Sequence, residues 1–359
     1  MNHHGTTRAL PNAPNGYVPV NFSCSVNKPA IRNAGTLSPD ETSWLGARRQ
    51  ETVSAMKDLF KTLDMSSFDA LSYINQYSSN ITDLPNIAIA VSGGGYRALT
   101  DGAGALKAFD SRTAGSNATG HLGGLLQSAT YVSGLSGGGW LLGSIYLNNF
   151  TTVSSLQSHR SLWQFQNSIM KGPEKKGLGA WNTATYFHDL ADAVIGKKNA
   201  GFNTSFADFW GCALSYQLID APDGGLEYTW SSIALTEDFK NGKMPLPLLL
   251  ADGRNPEETL VGSNSTVYGF NPWEFGTFDP SIFGFAPLQN LGSHFENGVV
   301  TEDICVRGFD NAGFIMGTSS SLFNQFILRL NTTDLPSNLK SIFASLLQDL
   351  GDRNDEIAV

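Results

Sequence analysis

The chain has 359 residues, enough for one large domain with a sizeable core. Hydrophobic residues make up 41% and charged residues only 15%, and the net charge is −9 with a pI near 5.1. That sign excludes the electrostatic footprint of a nucleic-acid binder and leaves any membrane contact to apolar side chains. Residues 1–37 read as an irregular arm rich in Pro, Asn and Gly, without the apolar centre of a secretory leader. A helix is predicted from "LSPDETSW", with Ser38 as its cap, Pro39 at the first position and Glu41 closing a capping box. Trp44, Leu45, Val53, Met56, Phe60 and Leu63 recur at helical spacing and predict one apolar face packed on a sheet.

"NIAIAV" (86–91) then reads as a buried strand and "ALTDGAGALKAFD" (98–110) as the following helix. "QSATYV" (127–132) and "GGWLLGSIYLNNF" (138–150) repeat the pair, which predicts an α/β sheet with helices on its faces. Over 151–300 the pattern blurs into aromatics spaced by Gly and Pro, expected to form an insertion that caps the sheet. Its densest part holds Tyr268, Phe270, Trp273, Phe275, Phe278, Phe283 and Phe285, expected to pack mainly on one another. "VRGFDNAGFIMGTSSSLFNQFILRL" (306–330) returns to the core, with a helix from about Ser319. The longest apolar run, "MPLPLLLA", is too short and proline-broken to span a membrane.

Two glycine-rich turns carry the chemistry. Gly134-Leu135-Ser136-Gly137-Gly138 satisfies G-x-S-x-G between a strand and an apolar helix, the setting of a nucleophile elbow. A tight turn without chemistry fits the pentapeptide equally well. Ser92-Gly93-Gly94-Gly95-Tyr96-Arg97 would offer bare backbone amides at a helix start, suited to an oxyanion. Arg97 adds a positive charge there, either for a phosphate or paired with Asp101. Neither turn has the spacing of a nucleotide-binding loop. Of the histidines after Ser136, only His294 comes late enough to serve a Ser-His-Asp order, and its glycine-flanked loop reads as surface. No His/Cys ligand cluster or calcium loop is visible, so no metal or cofactor is expected.

Seven sequons, at Asn21, Asn80, Asn117, Asn149, Asn203, Asn264 and Asn331, point to a secreted or cell-surface glycoprotein. Cys24, Cys212 and Cys305 allow at most one internal pair, and the odd one suggests a partner outside this chain.

Four blocks together resemble the fungal phospholipase B (lysophospholipase) family: "LPNIAIAVSGGGYRALTDGAGALKAFD", "SATYVSGLSGGGWLLGSIY", "GFNPWEFG" and "GFDNAGFIMGTSSSLFNQF". The resemblance runs from about residue 10 to the end, and the family is related to the catalytic domain of cytosolic phospholipases A and to patatin. It implies a three-layer helix-sheet-helix catalytic domain over 38–359, a large aromatic-rich cap within it, and hydrolysis of acyl esters of lysophospholipids and phospholipids at a membrane or micelle surface. Some cap aromatics would then line an acyl channel.

The family's Ser-Asp dyad implies Ser136 as nucleophile, Gly94 and Gly95 as oxyanion hole, and Arg97 near the substrate phosphate. Its aspartate lies in a D-G-G turn after an apolar strand. The D-G-G at Asp223 follows a proline within the cap instead, so the role is not carried to it. The expectation is that the aspartate lies beyond Val359, that the C-terminal part of the domain is missing, and that this chain is poorly active. The alternative implied is a homologue that binds lipid without turnover.

Overall fold

Ser38 starts the first long helix as its sequence predicts. The computed structural model describes residues 11–65, 67–78, 83–159, 161–167, 169, 172, 183–253 and 261–320. In it the Ser38 hydroxyl accepts from the Glu41 amide at 3.0 Å, ahead of α1 (Pro39–Leu63). The reciprocal half of a capping box does not form, because the Glu41 carboxylate accepts from Tyr131 Oη at 2.8 Å instead. Burial raises the Glu41 pKa, and the Tyr131 bond only partly offsets this.

Before α1 the arm is not wholly irregular: it supplies β1 (Val20–Ser23) and β2 (Arg32–Asn33). After α1 come α2 (Ala70–Tyr77), β3 (Ala88–Val91), α3 (Gly95–Phe109), α4 (Leu125–Ser128), β4 (Tyr131–Leu135) and α5 (Gly137–Leu147). Then follow α6 (Val153–Ser158), α7 (Thr183–Asn199), α8 (Phe206–Leu218), α9 (Glu237–Lys240) and β5 (Leu246–Asp252). The remainder is β6 (Val267–Phe270), β7 (Glu274–Thr277), β8 (Gly284–Pro287), β9 (Phe295–Glu296), β10 (Val299–Val300), β11 (Ile304–Arg307) and α10 (Ala312–Thr318).

The main sheet has seven strands in the order β2-β8-β7-β6-β5-β4-β3. β3, β4 and β5 are parallel, joined by helical crossovers, while β5 to β8 and β2 run antiparallel. Side chains of β4 alternate between the two faces. Tyr131 reaches Glu41 of α1 on one face. On the other, Val132 lines a small cavity with Leu106 of α3 and Leu142 and Ile145 of α5. Helix, sheet, helix is the result: the α/β class, in three layers, that the sequence implies.

One reading needs correction. Residues 246–287 lie within the stretch read as a cap, yet they supply β5 to β8, four strands of the main sheet. The aromatics there do pack largely on one another, Phe270 and Tyr268 on Phe275 and Phe278 on Phe285, while Trp273 meets Trp44 of α1 and Phe239. Their mixture with Gly and Pro hid three short antiparallel strands, whose period is too brief to register as alternation. A further helix, α10, ends at Thr318 with Ser319 as its C-cap; the helix expected from about Ser319 falls on residues 321–359, which lie outside the described residues.

Cys24 and Cys305 form a disulfide that ties the β1 arm to β11, strands already paired with Phe22 opposite Cys305. Cys212 is free, fully buried in α8, and burial drives its thiol pKa up. The odd cysteine therefore serves as a small core residue and requires no outside partner. Among the described residues, no helix is long and apolar enough to cross a membrane.

Candidate active site

β4 ends at Leu135 and α5 begins at Gly137, so Ser136 is the single residue of the turn between them. Its backbone has φ 53° and ψ −122°, a region that L residues seldom occupy and that only a surrounding framework can hold. The side chain is half-buried, and its Oγ makes no hydrogen bond with any described residue.

The second turn leaves β3 at Val91 and enters α3 at Gly95. Gly94 has φ 137°, which a residue with a Cβ would reach only under strain. The amides of Gly94 and Gly95 find no backbone acceptor among the described residues, as befits the first turn of a helix. Ser92, Gly93 and Gly94 are exposed, whereas Gly95 is buried.

The two turns interlock. A Cβ placed on Gly93 would lie 3.0 Å from Ser136 Cβ and 3.7 Å from Ser136 Oγ. One on Gly137 would fall 2.1 Å from the Gly95 carbonyl oxygen, and one on Gly138 2.2 Å from that of Val91. Parallel pairing of β3 with β4 explains the meeting, since both turns leave the same end of adjacent strands. The N-termini of α3 and α5 thus converge beside Ser136, and both favour negative charge there.

Arg97 sits on the exposed side of the first turn of α3 and makes no ion pair with Asp101 or any other described residue. It borders a groove of about 400 Å³ that also takes in Ser92, Gly93, Gly94, Asp101 and the apolar Phe109. The structure therefore brings Ser136, Gly94, Gly95 and Arg97 to one end of the sheet. Tyr96 faces inward, packing on Trp140 and Phe165 and hydrogen-bonding Gln217 of α8.

Asp223 stands apart from this cluster. Its turn packs on α8, with Gly224 against Tyr216, and Asp223 itself is exposed at φ 52°. His294 is exposed in a loop before β9. No group of three or more His, Cys, Asp or Glu that could hold a metal occurs among the described residues.

Two serines that the sequence left unassigned touch the elbow. Ser319 Oγ accepts from the Ser136 amide at 2.6 Å and donates to the Leu250 carbonyl of β5. Ser320 Oγ accepts from Trp140 Nε1 at 3.0 Å. Nothing in the run "GTSSSLF" marks these hydroxyls from sequence, because their partners lie about 180 residues away.

Fold and turns together define an α/β protein with a serine elbow and a glycine turn beside it at the C-terminal edge of a parallel strand pair. A family model for the lysophospholipase catalytic domain matches residues 87–359, and the chain belongs to that family. Lysophospholipase 3 of Aspergillus fumigatus is 66% identical over 357 residues, covering 98% of this chain and 56% of the relative. A lysophospholipase of Penicillium chrysogenum is 60% identical, covering 99% of this chain and 58% of that protein. The chain thus spans a little over half the length of these curated relatives. Among solved structures, human GIVD cytosolic phospholipase A2 shares the fold, with a TM-score of 0.59 at 20% identity over 89% of this chain and 39% of its own.

Proposed function

We propose that this chain carries the acyl-transfer site of a serine esterase that hydrolyses fatty-acyl esters of lysophospholipids and phospholipids through an acyl-enzyme on Ser136. The observation that carries the reading is the interlocking of the two turns: the Gly93 position lies against the Ser136 side chain, and Gly137 against Gly95. A serine hydroxyl beside two helix-start amides that find no backbone acceptor among the described residues is what ester attack requires.

Ser136 Oγ attacks the acyl carbonyl, and the carbonyl oxygen, gaining negative charge, turns toward the Gly94 and Gly95 amides. One such donor is worth about 2.7–4 kcal/mol in the transition state. The exposed guanidinium of Arg97 pairs with the phosphodiester of the leaving lysolipid or glycerophospho group. The alcohol departs, and water then releases the fatty acid from Ser136. A base must take the hydroxyl proton on attack and pass it to the departing alcohol. It must then take a proton from the incoming water and pass it to Ser136 Oγ as the fatty acid leaves; the family resemblance assigns that to an aspartate.

Exposed apolar side chains favour a substrate held in a lipid surface. Val267 is 49% exposed, Phe278 61% and Ile282 52%. Strand registers run Asp252 opposite Val267 and Thr277 opposite Gly284, which sets these side chains at the same end of the sheet as Ser136. The disulfide and the exposed sequons Asn21, Asn117, Asn203 and Asn264 favour a secreted or cell-surface glycoprotein. Asn149 is less suited, being half-buried with its Oδ1 enclosed; Asn80 and Asn331 lie outside the described residues.

A second reading, lipid binding without turnover, is favoured by the absence of a hydrogen-bonded base on Ser136 Oγ among the described residues. Fluorophosphonate labelling and lysophosphatidylcholine hydrolysis separate the two. Labelling and fatty-acid release by the wild type, both lost in Ser136→Ala, support the esterase. A chain that retains lysolipid but neither labels nor hydrolyses is the binding form.

A further inference from the structure

The rung that ends the β4–β5 ladder is made by a side chain. Leu246 N–H donates to the Thr130 carbonyl at 2.9 Å, and pairing continues to Leu135 opposite Leu250. In a parallel ladder, donors on each strand recur every second residue. Counting from Thr130, the next rung after Leu135 would run from the Ser136 amide to the Leu250 carbonyl. There the elbow turns away toward α5, and the Ser319 hydroxyl enters the gap, accepting from Ser136 N–H and donating to Leu250 C=O. Ser319 is only 3% exposed, so neither backbone group has water as a ready substitute.

We infer that Ser319 is a positioning residue for Ser136. The inference rests on Ser136 being the nucleophile. A hydroxyl that both donates and accepts is the smallest group able to close this rung. It pins the peptide N-terminal to a residue whose φ and ψ persist only when over-determined by their surroundings. From that peptide the direction of Ser136 Oγ follows. Its neighbour Ser320 bonds Trp140 of α5 and not the elbow backbone, which makes it a matched control.

The full chain is compared as wild type, Ser319→Ala, Ser319→Cys, Ser319→Thr, Ser320→Ala and Ser136→Ala. Fluorophosphonate inactivation is measured over a range of probe concentrations, alongside hydrogen exchange of the 131–140 peptide. Ser319→Ala is expected to lower the limiting inactivation rate by about 10- to 100-fold with the half-saturating probe concentration within about twofold, since misplacing a reacting atom costs rate rather than affinity. Thr should restore the rate, Cys should not, and the 131–140 peptide should exchange faster in Ala and Cys but not in Ser320→Ala. If the Ala form does not fold, the Cys form decides.

An unchanged limiting rate in Ser319→Ala or Ser319→Cys, or an equal loss in Ser320→Ala, overturns the positioning role. Labelling that survives Ser136→Ala instead overturns the nucleophile itself, a distinct result seen in the wild-type background.

Discussion

Gly102 and Gly104 lie two residues apart on α3, yet a methyl group would have opposite effects at the two. At Gly102 it would fall 2.4 Å from Val91 Cγ1, inside the contact between α3 and β3. At Gly104 it would meet nothing within 4 Å. Gly104→Ala is therefore expected to stabilise the chain by about 0.5–1 kcal/mol in urea denaturation, by removing backbone freedom from the unfolded state. Gly102→Ala should destabilise it. At the elbow, Gly137→Ala would drive a Cβ to 2.1 Å from the Gly95 carbonyl oxygen. That variant should label with fluorophosphonate at least about 100-fold more slowly, because the turns must separate and one Å of displacement suffices for such a loss. The turn glycines were legible in the sequence, since dense glycine at two strand ends signals backbones in contact. Ser319 was not, because its role is set by a rung that only the folded sheet displays.

At the level of elements, α7 and α8 are clasped by a buried ion pair. Lys197 Nζ lies 2.5 Å from Asp208 Oδ1, with both side chains at most 2% exposed. Tyr17 Oη donates to the same carboxylate at 2.7 Å, and the ammonium sits 3.8 Å from the Phe309 ring centroid. Removing one partner of such a pair strands the other charge, so Lys197→Met should cost about 3–5 kcal/mol, read from the denaturation midpoint. A change of both residues to apolar ones should recover part of that loss.

Asp110, at the end of α3, behaves differently with pH. Burial would raise its pKa, but the Arg112 guanidinium and amide and the Gln127 side chain outweigh that and hold it below the ordinary 3.8. A depressed carboxylate contributes stability above its unfolded pKa and loses it as pH falls through the folded value. Asp110→Asn should accordingly melt lower than wild type at pH 7, with the gap closing below about pH 4. The strand–turn–helix units around β3 and β4 were readable because each has one period. The β6–β8 meander was not, because its strands have only four residues and carry Gly and Pro within them.

Across the whole molecule, the sheet divides at β5: parallel strands with the two turns on one side, an antiparallel meander and the arm on the other. Motif order could place the first half, whereas the second depends on pairings between distant segments, such as Arg32 with Phe285. The arm is held to the far side by the Cys24–Cys305 bond, which closes a separation of 281 residues. Replacing both cysteines by serine should lower stability by about 2–5 kcal/mol, seen as a lower melting temperature that no longer responds to reductant.

That bond also gives the chain a memory of where it was made. Chain produced in a glutathione-rich cytosol would keep its elbow but lack the covalent tie between β1 and β11, leaving that junction to its ladder hydrogen bonds. Two preparations with one sequence would then work alike on ice and part company on warming, with redox history, not composition, telling them apart.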